Sequence, residues 1–398
     1  MNTIKPSGIV WLKQSQLGAD SWHSVLISLL RAVAAIQVTA AHLRADFFPG
    51  LRTLENPSLW YQALAFFSGF AHQAVLVFFL ISGWLVGGSL LNRIGQPDAI
   101  KLYAIDRLTR LWTVQVPTFM LILAIGIMTG LLNPRSADFA IDNPYSVSAF
   151  IGNMVGLQTV LLPEFGGNFP LWSLANESWY YLMFPLLLVG GGRALPRQPW
   201  VALAALGALA LLLPLNLILY FTIWLLGALF SRIRIDCGAA SRAALLLALA
   251  TLAVWFRLKG YNDEFTIASY GQDLLLSVMF MLFLSTTVMP FNTARPGLTS
   301  LRRYAVFFSN FSFTLYVVHI PVLALLAYLG VNLFGQRQLD PNQIGALGVY
   351  LGMLTFVLLF AYGFYLLFEA RTPAIRQAIK KLLLDKGELP VRTVPAKH

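Results

Sequence analysis

From residue 23 to residue 369 the chain is a series of long apolar runs, broken by short segments that hold most of its charge. A helix needs about 20 mainly apolar residues to cross the hydrocarbon of a bilayer. Such runs lie near 23–43, 74–92, 111–132, 172–190, 200–213, 215–231, 243–258, 271–290, 304–329 and 345–369. Only Pro214 separates 200–213 from 215–231, and the apolar stretch 149–163 is short enough to read as re-entrant or interfacial. Helices satisfy their own backbone hydrogen bonds in lipid. The expected fold is therefore an all-α integral membrane protein, a polytopic bundle of about ten transmembrane helices.

Composition excludes the main alternatives. Residues are 58% hydrophobic and 11% charged, against about 25% charged in a soluble domain, so a water-soluble globule would lack polar surface. The net charge of +11 does not mark a nucleic-acid reader, because Lys and Arg are scattered through loops instead of clustered on one solvated face. The single cysteine, Cys237, allows neither an intrachain disulfide nor a thiolate cluster. Zinc-type His spacing, a Gly-rich phosphate loop and a Gly-x-Ser-x-Gly elbow are all missing from the sequence, and no metal is implied. The first apolar run contains Arg31 and His42 and reads as a retained span, not a cleaved signal.

The chain divides into an N-terminal segment 1–22, a membrane domain 23–370 and a basic tail 371–398. With the N-terminus inside and alternating spans, inside segments carry 21 Lys and Arg and outside segments 6. That bias predicts an even number of spans with both termini cytoplasmic. The outside segment 133–170, rich in Pro, Asn and Gly, is a candidate lid or binding loop. The tail is suited to the anionic inner leaflet.

Charges inside the spans are the first functional candidates, since each costs at least about 2.5–3.5 kcal/mol near the bilayer centre. Arg31 and His42 share the first span. Eleven residues apart, they lie within roughly 20° on one helix face and about 16 Å apart along it. Arg31 is too deep to snorkel comfortably. Glu177 opens the fourth span at a depth similar to His42, where a carboxylate can orient an imidazole; the plainer alternative is an acid favoured by the helix N-terminus. Arg107 and Arg110, at i and i+3, share a face at the cytoplasmic mouth of the third span. Two guanidinium forks suit a phosphate clamp, although the positive-inside bias alone explains their charge. His319 precedes Pro321 in the ninth span, where a lone His is commonly a bundle hydrogen-bonder. His23 and His72 sit at span edges and His398 in the tail, and these three receive no role. Ser82-Gly83 is either a nucleophile or, more simply, a small pair that lets helices approach closely.

Taken together, these residues resemble a family. Arg31 and His42 look like the Arg-x10-His signature of the acyltransferase 3 family of integral membrane O-acyltransferases. Val77–Leu85 (VFFLISGWL) is similar to the family's second-span motif, and Arg107-Leu108-Thr109-Arg110 to its Arg-x-x-Arg motif. Leu171-Trp172-Ser173-Leu174 with Glu177 matches Trp-Ser-Leu-x-x-Glu. Phe313-Thr314-Leu315-Tyr316 with His319 and Pro321 resembles the late-span motif, and Phe368-Glu369 with Thr372-Pro373 the closing one. The likeness runs over about residues 23 to 376. It departs at Leu29-Leu30, where the family usually has Asp or Gly, and at Ala41, where a second polar residue is common.

The resemblance implies transfer of an acyl group, often acetyl, from acyl-CoA to a hydroxyl of a surface glycan, lipid-linked sugar or small molecule. It also implies a bacterial inner membrane setting and no tightly bound cofactor, acyl-CoA being a co-substrate. Arg107 and Arg110 would then hold the CoA phosphates. Arg31 would steer the pantetheine arm or stabilise the thioester oxyanion. His42 would be the general base, and Glu177 would orient it or bind the acceptor. Trp172, Ser173, Tyr316, His319 and Ser82 are further candidates from the motifs. A transporter or flippase is the main rival, and a non-catalytic scaffold a second. A transporter predicts inverted repeats, and none is visible between the halves of the chain.

Overall fold

The structure, a computed structural model, describes residues 8–15, 17–18, 21–132, 138–192, 199–259, 265–291 and 296–384. It is predominantly helical. Helix α1 (Trp22–Phe47) begins where the Ser21 side chain accepts from the Ser24 amide at 3.2 Å. Helix α2 (Leu59–Phe67) leads into α3 (Ala71–Ser82), which continues through a π-helical turn, Gly83–Gly87, into α4 (Gly88–Arg93). Then follow α5 (Ala99–Met128), α6 (Val147–Met154), α7 (Leu171–Gly190), α8 (Pro199–Leu212), α9 (Leu215–Phe230), α10 (Ala239–Lys259) and α11 (Ile267–Ser285). The chain closes with α12 (Pro296–Asn310), α13 (Ser312–Phe334), α14 (Ile344–Leu367) and α15 (Thr372–Leu384).

Seven helical stretches are long and apolar enough to cross a membrane among the described residues: Trp22–Thr53, Leu59–Arg93, Ala99–Met128, Ala239–Lys259, Ile267–Ser285, Ser312–Phe334 and Ile344–Leu384. The remaining expected spans are helical but differ in kind. Helix α7 carries Glu177, Asn176 and Ser173 and is not among the seven. Helices α8 and α9, of 14 and 16 residues, are shorter than a full span. The expected run 304–329 straddles a break at Phe311, so its first residues belong to α12. Of the stretch 149–163, only the part within α6 is helical.

Two short strands, β1 (Gly8–Trp11) and β2 (Ile233–Asp236), add an element that the all-α expectation lacks. They pair antiparallel, Gly8 with Asp236 and Trp11 with Ile233. The pairing holds the start of the chain against the segment after α9. Asn92 at the end of α4 bonds both backbone groups of Ser15, and Trp22 N donates to Met289 O. Asp106 of α5 joins Arg93 and α15. These contacts put both described ends of the chain on one basic face. At the opposite face Arg337 pairs with Asp46, and Ser58 bonds Pro341.

A close crossing joins α3 and its π-helical turn to α9. A Cβ added to Gly83 would sit 1.9 Å from the Trp224 carbonyl oxygen, and one added to Gly227 2.1 Å from the Leu80 carbonyl oxygen. Backbone therefore meets backbone, which only glycine allows. This favours the small-pair reading of Ser82-Gly83. The crossing fixes Ser82, because Trp224 Nε1 donates to its Oγ at 3.1 Å. Gly83→Ala is expected to cost about 1–3 kcal/mol by overpacking, read as a fall in thermal midpoint in detergent. Gly352→Ala, which meets nothing within 4 Å, should leave the midpoint unchanged or raised.

Candidate active site

Two chambers lie end to end in the bundle, and Val75 and Tyr316 border both. The outer one, about 600 Å³, is lined by His42, His72, Phe169, Trp172, Asn176 and Phe265 among others. The inner one, about 340 Å³, holds Arg31, Ser82, Arg107, Arg110, Glu177 and Arg376. Helix α1 serves both. Its rise puts Arg31 about 16 Å below His42 on the same face, so one helix contributes a guanidinium to one chamber and an imidazole to the other.

In the outer chamber, His42 Nδ1 lies 2.8 Å from Nε2 of His319, with the rings stacked at 5.1 Å. His319 Nδ1 lies 3.2 Å from the Leu315 carbonyl. A carbonyl only accepts, so in the neutral pair His319 carries its proton on Nδ1 and accepts through Nε2. His42 must then donate from Nδ1, which leaves the lone pair on its Nε2 free. That atom bonds to no described residue and is not among the buried, unpartnered polar atoms. The hydrogen-bond chain thus sets His42 as a base pointing out of a fixed tautomer.

Proline organises the surrounding wall. Pro321 in α13 lacks an N–H, which frees the Val317 carbonyl one turn earlier. Asn168 Nδ2 donates to that carbonyl at 2.9 Å and ties the segment before α7 to α13. As a result Phe169 packs edge-on against His42, at 4.8 Å between rings. Residues Thr159, Glu164, Phe169 and Pro170 of the expected binding loop line the outer chamber; its residues 133–137 lie outside the described residues. Tyr316 OH and Ser173 Oγ are 2.7 Å apart beside the Pro170 carbonyl, at the partition. Trp172 packs on Phe265 at 4.7 Å.

The inner chamber gathers the other candidates. Glu177 Oε1 accepts from both Ser82 Oγ and Tyr181 OH. Arg31 Nη2 donates to Ser312 Oγ at 3.3 Å. Arg107 lies over the Tyr181 ring at 5.8 Å, and its Nε is buried without a partner. Arg110 sits over Phe313 at 5.3 Å and 3.7 Å from Glu369, which also accepts from Thr314 N and Oγ1 at 3.2 and 2.5 Å. Four guanidiniums face one carboxylate, Glu177, along this chamber wall, so it favours an anionic guest.

One expectation needs correction. His319, not Glu177, is the hydrogen-bonded partner of His42. Although Glu177 follows Trp172 and Ser173 in sequence, its face of α7 turns to α3, where Ser82 donates to its Oε1, as does Tyr181 one turn along α7 itself. Another pair escaped the sequence reading. His72 Nε2 lies 2.8 Å from Asp273 Oδ1, Tyr220 OH donates to Asp273 Oδ2 at 2.5 Å, and His72 stacks on Phe265 at 4.0 Å. The available signal was Asp273 itself, an acid inside the apolar run 271–290.

Fold and site define a polytopic membrane protein with a basic chamber toward one face and an imidazole-bearing chamber toward the other. Residues 25–366 match the family described as an acyltransferase domain. The chain belongs to that family, the acyltransferase 3 family, and is a membrane acyltransferase. No curated protein and no solved structure matched it.

Proposed function

We propose that the protein moves an acyl group, acetyl in the first instance, from acyl-CoA in the inner chamber to an acceptor hydroxyl in the outer one. The observation that carries this reading is the meeting of the two chambers at Tyr316, with the free Nε2 of His42 on the acceptor side. Acyl-CoA is polyanionic, and the basic chamber offers Arg107, Arg110 and Arg376 to its phosphates. Arg31, well below His42, steers the pantetheine arm and leaves oxyanion stabilisation to groups near the partition.

His42 Nε2 takes the acceptor's hydroxyl proton as the oxygen attacks the thioester carbonyl. The tetrahedral centre collapses, the carbon–sulfur bond breaks, and the departing thiolate receives that proton from His42. Glu177 holds Ser82 and Tyr181 and offsets the charge of Arg31 in the inner chamber. Phe169, Trp172 and Phe265 offer flat faces to a ring-shaped acceptor. Acceptors that fit this reading are a surface glycan, a lipid-linked sugar or a small molecule with a hydroxyl. Residues 23–370 form the catalytic unit, of about ten spans with both termini in the cytoplasm of a bacterial inner membrane.

The test is release of free CoA from acetyl-CoA by purified protein in detergent, with a direct measurement of acetyl-CoA binding alongside. Wild type should bind and turn over the thioester. Should it neither bind nor turn over any short acyl-CoA, the donor assignment fails and transport becomes the reading to assay.

A further inference from the structure

Asp106, on α5 beside Arg107, is 8% exposed and is shared by three cations from other elements. Arg93 Nη1 at the end of α4 lies 3.3 Å from its Oδ2. From α15, Lys380 Nζ and Arg376 Nε lie 2.6 and 3.5 Å from its Oδ1. Three positive charges thus share one negative charge. Two of the three distances exceed the usual 2.7–2.9 Å of a charge-assisted hydrogen bond.

The cluster also leaves donors unused. Arg376 uses only its Nε here, on Asp106 and on Thr109 Oγ1 at 3.4 Å. Its terminal amino groups bond to no described residue, and its side chain lines the basic chamber beside Arg107 and Arg110. Arg93, Arg107 and Arg110 all repel it, against the attraction of Asp106. Arg107 Nε and Tyr103 OH are buried nearby without partners, and Asp106 Oδ1, though within ion-pair distance of Lys380 and Arg376, makes no aligned hydrogen bond. A group with more negative charge and more oxygens than a carboxylate would satisfy these donors together. A phosphate ester has both properties.

The mounting of α15 allows such an exchange. Its start is pinned by Thr372 Oγ1, 2.8 Å from Thr113 Oγ1. It follows a 3-10 turn, Glu369–Arg371, that breaks the line of α14. Beyond that pin, its polar grip on α5 is the pairing of Arg376 and Lys380 with Asp106 and the bond to Thr109.

We propose that Asp106 stands in for a phosphate group of the donor, and that α15 is the movable wall of a phosphate site. When phosphate enters, Arg376 and Lys380 pass from Asp106 to its oxygens, Arg107 meets it from α5, and α15 closes over the inner mouth. This rests on the acyl-CoA reading of the inner chamber. The phosphate belongs to the donor and not to a lipid headgroup, because Arg376 lines the chamber and Lys380 turns to Asp106 while the neighbouring Lys381 is exposed.

The test compares equilibrium binding of CoA, dephospho-CoA and pantetheine, which carries no phosphate, to wild type and variants in detergent. Arg376→Gln and Lys380→Gln should each weaken CoA about tenfold or more, the range for a hydrogen bond to a charged group, and leave pantetheine unchanged. Asp106→Asn should act in the opposite direction and tighten CoA several-fold, because the competing carboxylate charge is gone. Where Asp106→Asn is not recovered folded, a nitroxide on Lys381→Cys in a Cys237→Ser background gives the second measurement. Its mobility should change with CoA and not with pantetheine. Failure of wild type to bind CoA would remove the donor reading itself. Normal CoA binding with unaltered affinity in Arg376→Gln and Lys380→Gln would overturn the α15 site alone. So would a nitroxide that responds to nanodiscs of phosphatidylglycerol, against phosphatidylcholine, but not to CoA: the phosphate would then be a lipid's.

Discussion

His42→Ala should lower the rate of acyl transfer about 10²–10⁴-fold, the usual worth of a positioned general base, with donor binding intact. The reason is geometric: His42 Nε2 is the free end of a chain that starts at the Leu315 carbonyl and passes through His319. The proposed mechanism holds the donor phosphates in the other chamber, so it puts the loss in kcat and not in the dissociation constant for acetyl-CoA. His319 is a positioning residue in this account, and its variants separate positioning from bulk. With His319→Ala the Nδ1–H of His42 loses its acceptor, and the imidazole is free to swap tautomer or rotate. With His319→Gln an amide oxygen can accept that proton and restore part of the rate. Equal defects in His319→Ala and His319→Gln would show that the imidazole does more than hold a tautomer. Full activity in a correctly inserted His42→Ala would remove His42 from the mechanism.

The sequence revealed the layers of this site better than its pairings. Helical periodicity alone put Arg31 and His42 on one face and about 16 Å apart, and the two residues line different chambers. Hydropathy found the apolar runs but stopped at charges. The run read from 111 belongs to a helix that begins at Ala99, because Lys101, Asp106, Arg107 and Arg110 interrupt the apolar signal while their partners keep the helix in place. His319 and His42 meet across 277 positions of sequence, and no local pattern carries such a pairing. Glu177 was assigned to His42 from similar depth, but depth does not say which way a helix face turns. The partners of Glu177 follow from the Gly83–Gly227 crossing, which sets where Ser82 sits, and a close approach of two backbones is a tertiary fact.

Arg107 and Arg110, equivalent in sequence, should behave differently when removed. Arg107 has no carboxylate within ion-pair distance among the described residues and keeps its Nε buried and unpartnered. Its guanidinium is thus available to a ligand, and Arg107→Ala should weaken acyl-CoA binding about 10- to 100-fold, from 1.5–3 kcal/mol for a hydrogen bond to a charged group, with the thermal midpoint little changed. Arg110 is engaged already. It pairs with Glu369, which is 6% exposed and whose carboxylate is otherwise bonded, among the described residues, to Thr314 alone. Arg110→Ala therefore strands a buried carboxylate and should lower the thermal midpoint as well as donor affinity, since breaking a buried pair from one side is costlier than deleting both partners. Adding Glu369→Gln to Arg110→Ala should recover stability without recovering affinity. Such a split would separate the phosphate contact from the structural one within a single Arg-x-x-Arg segment. If Arg107→Ala instead binds acyl-CoA as tightly as wild type, the phosphates do not sit at this mouth, and the surplus charge of the inner chamber has another guest.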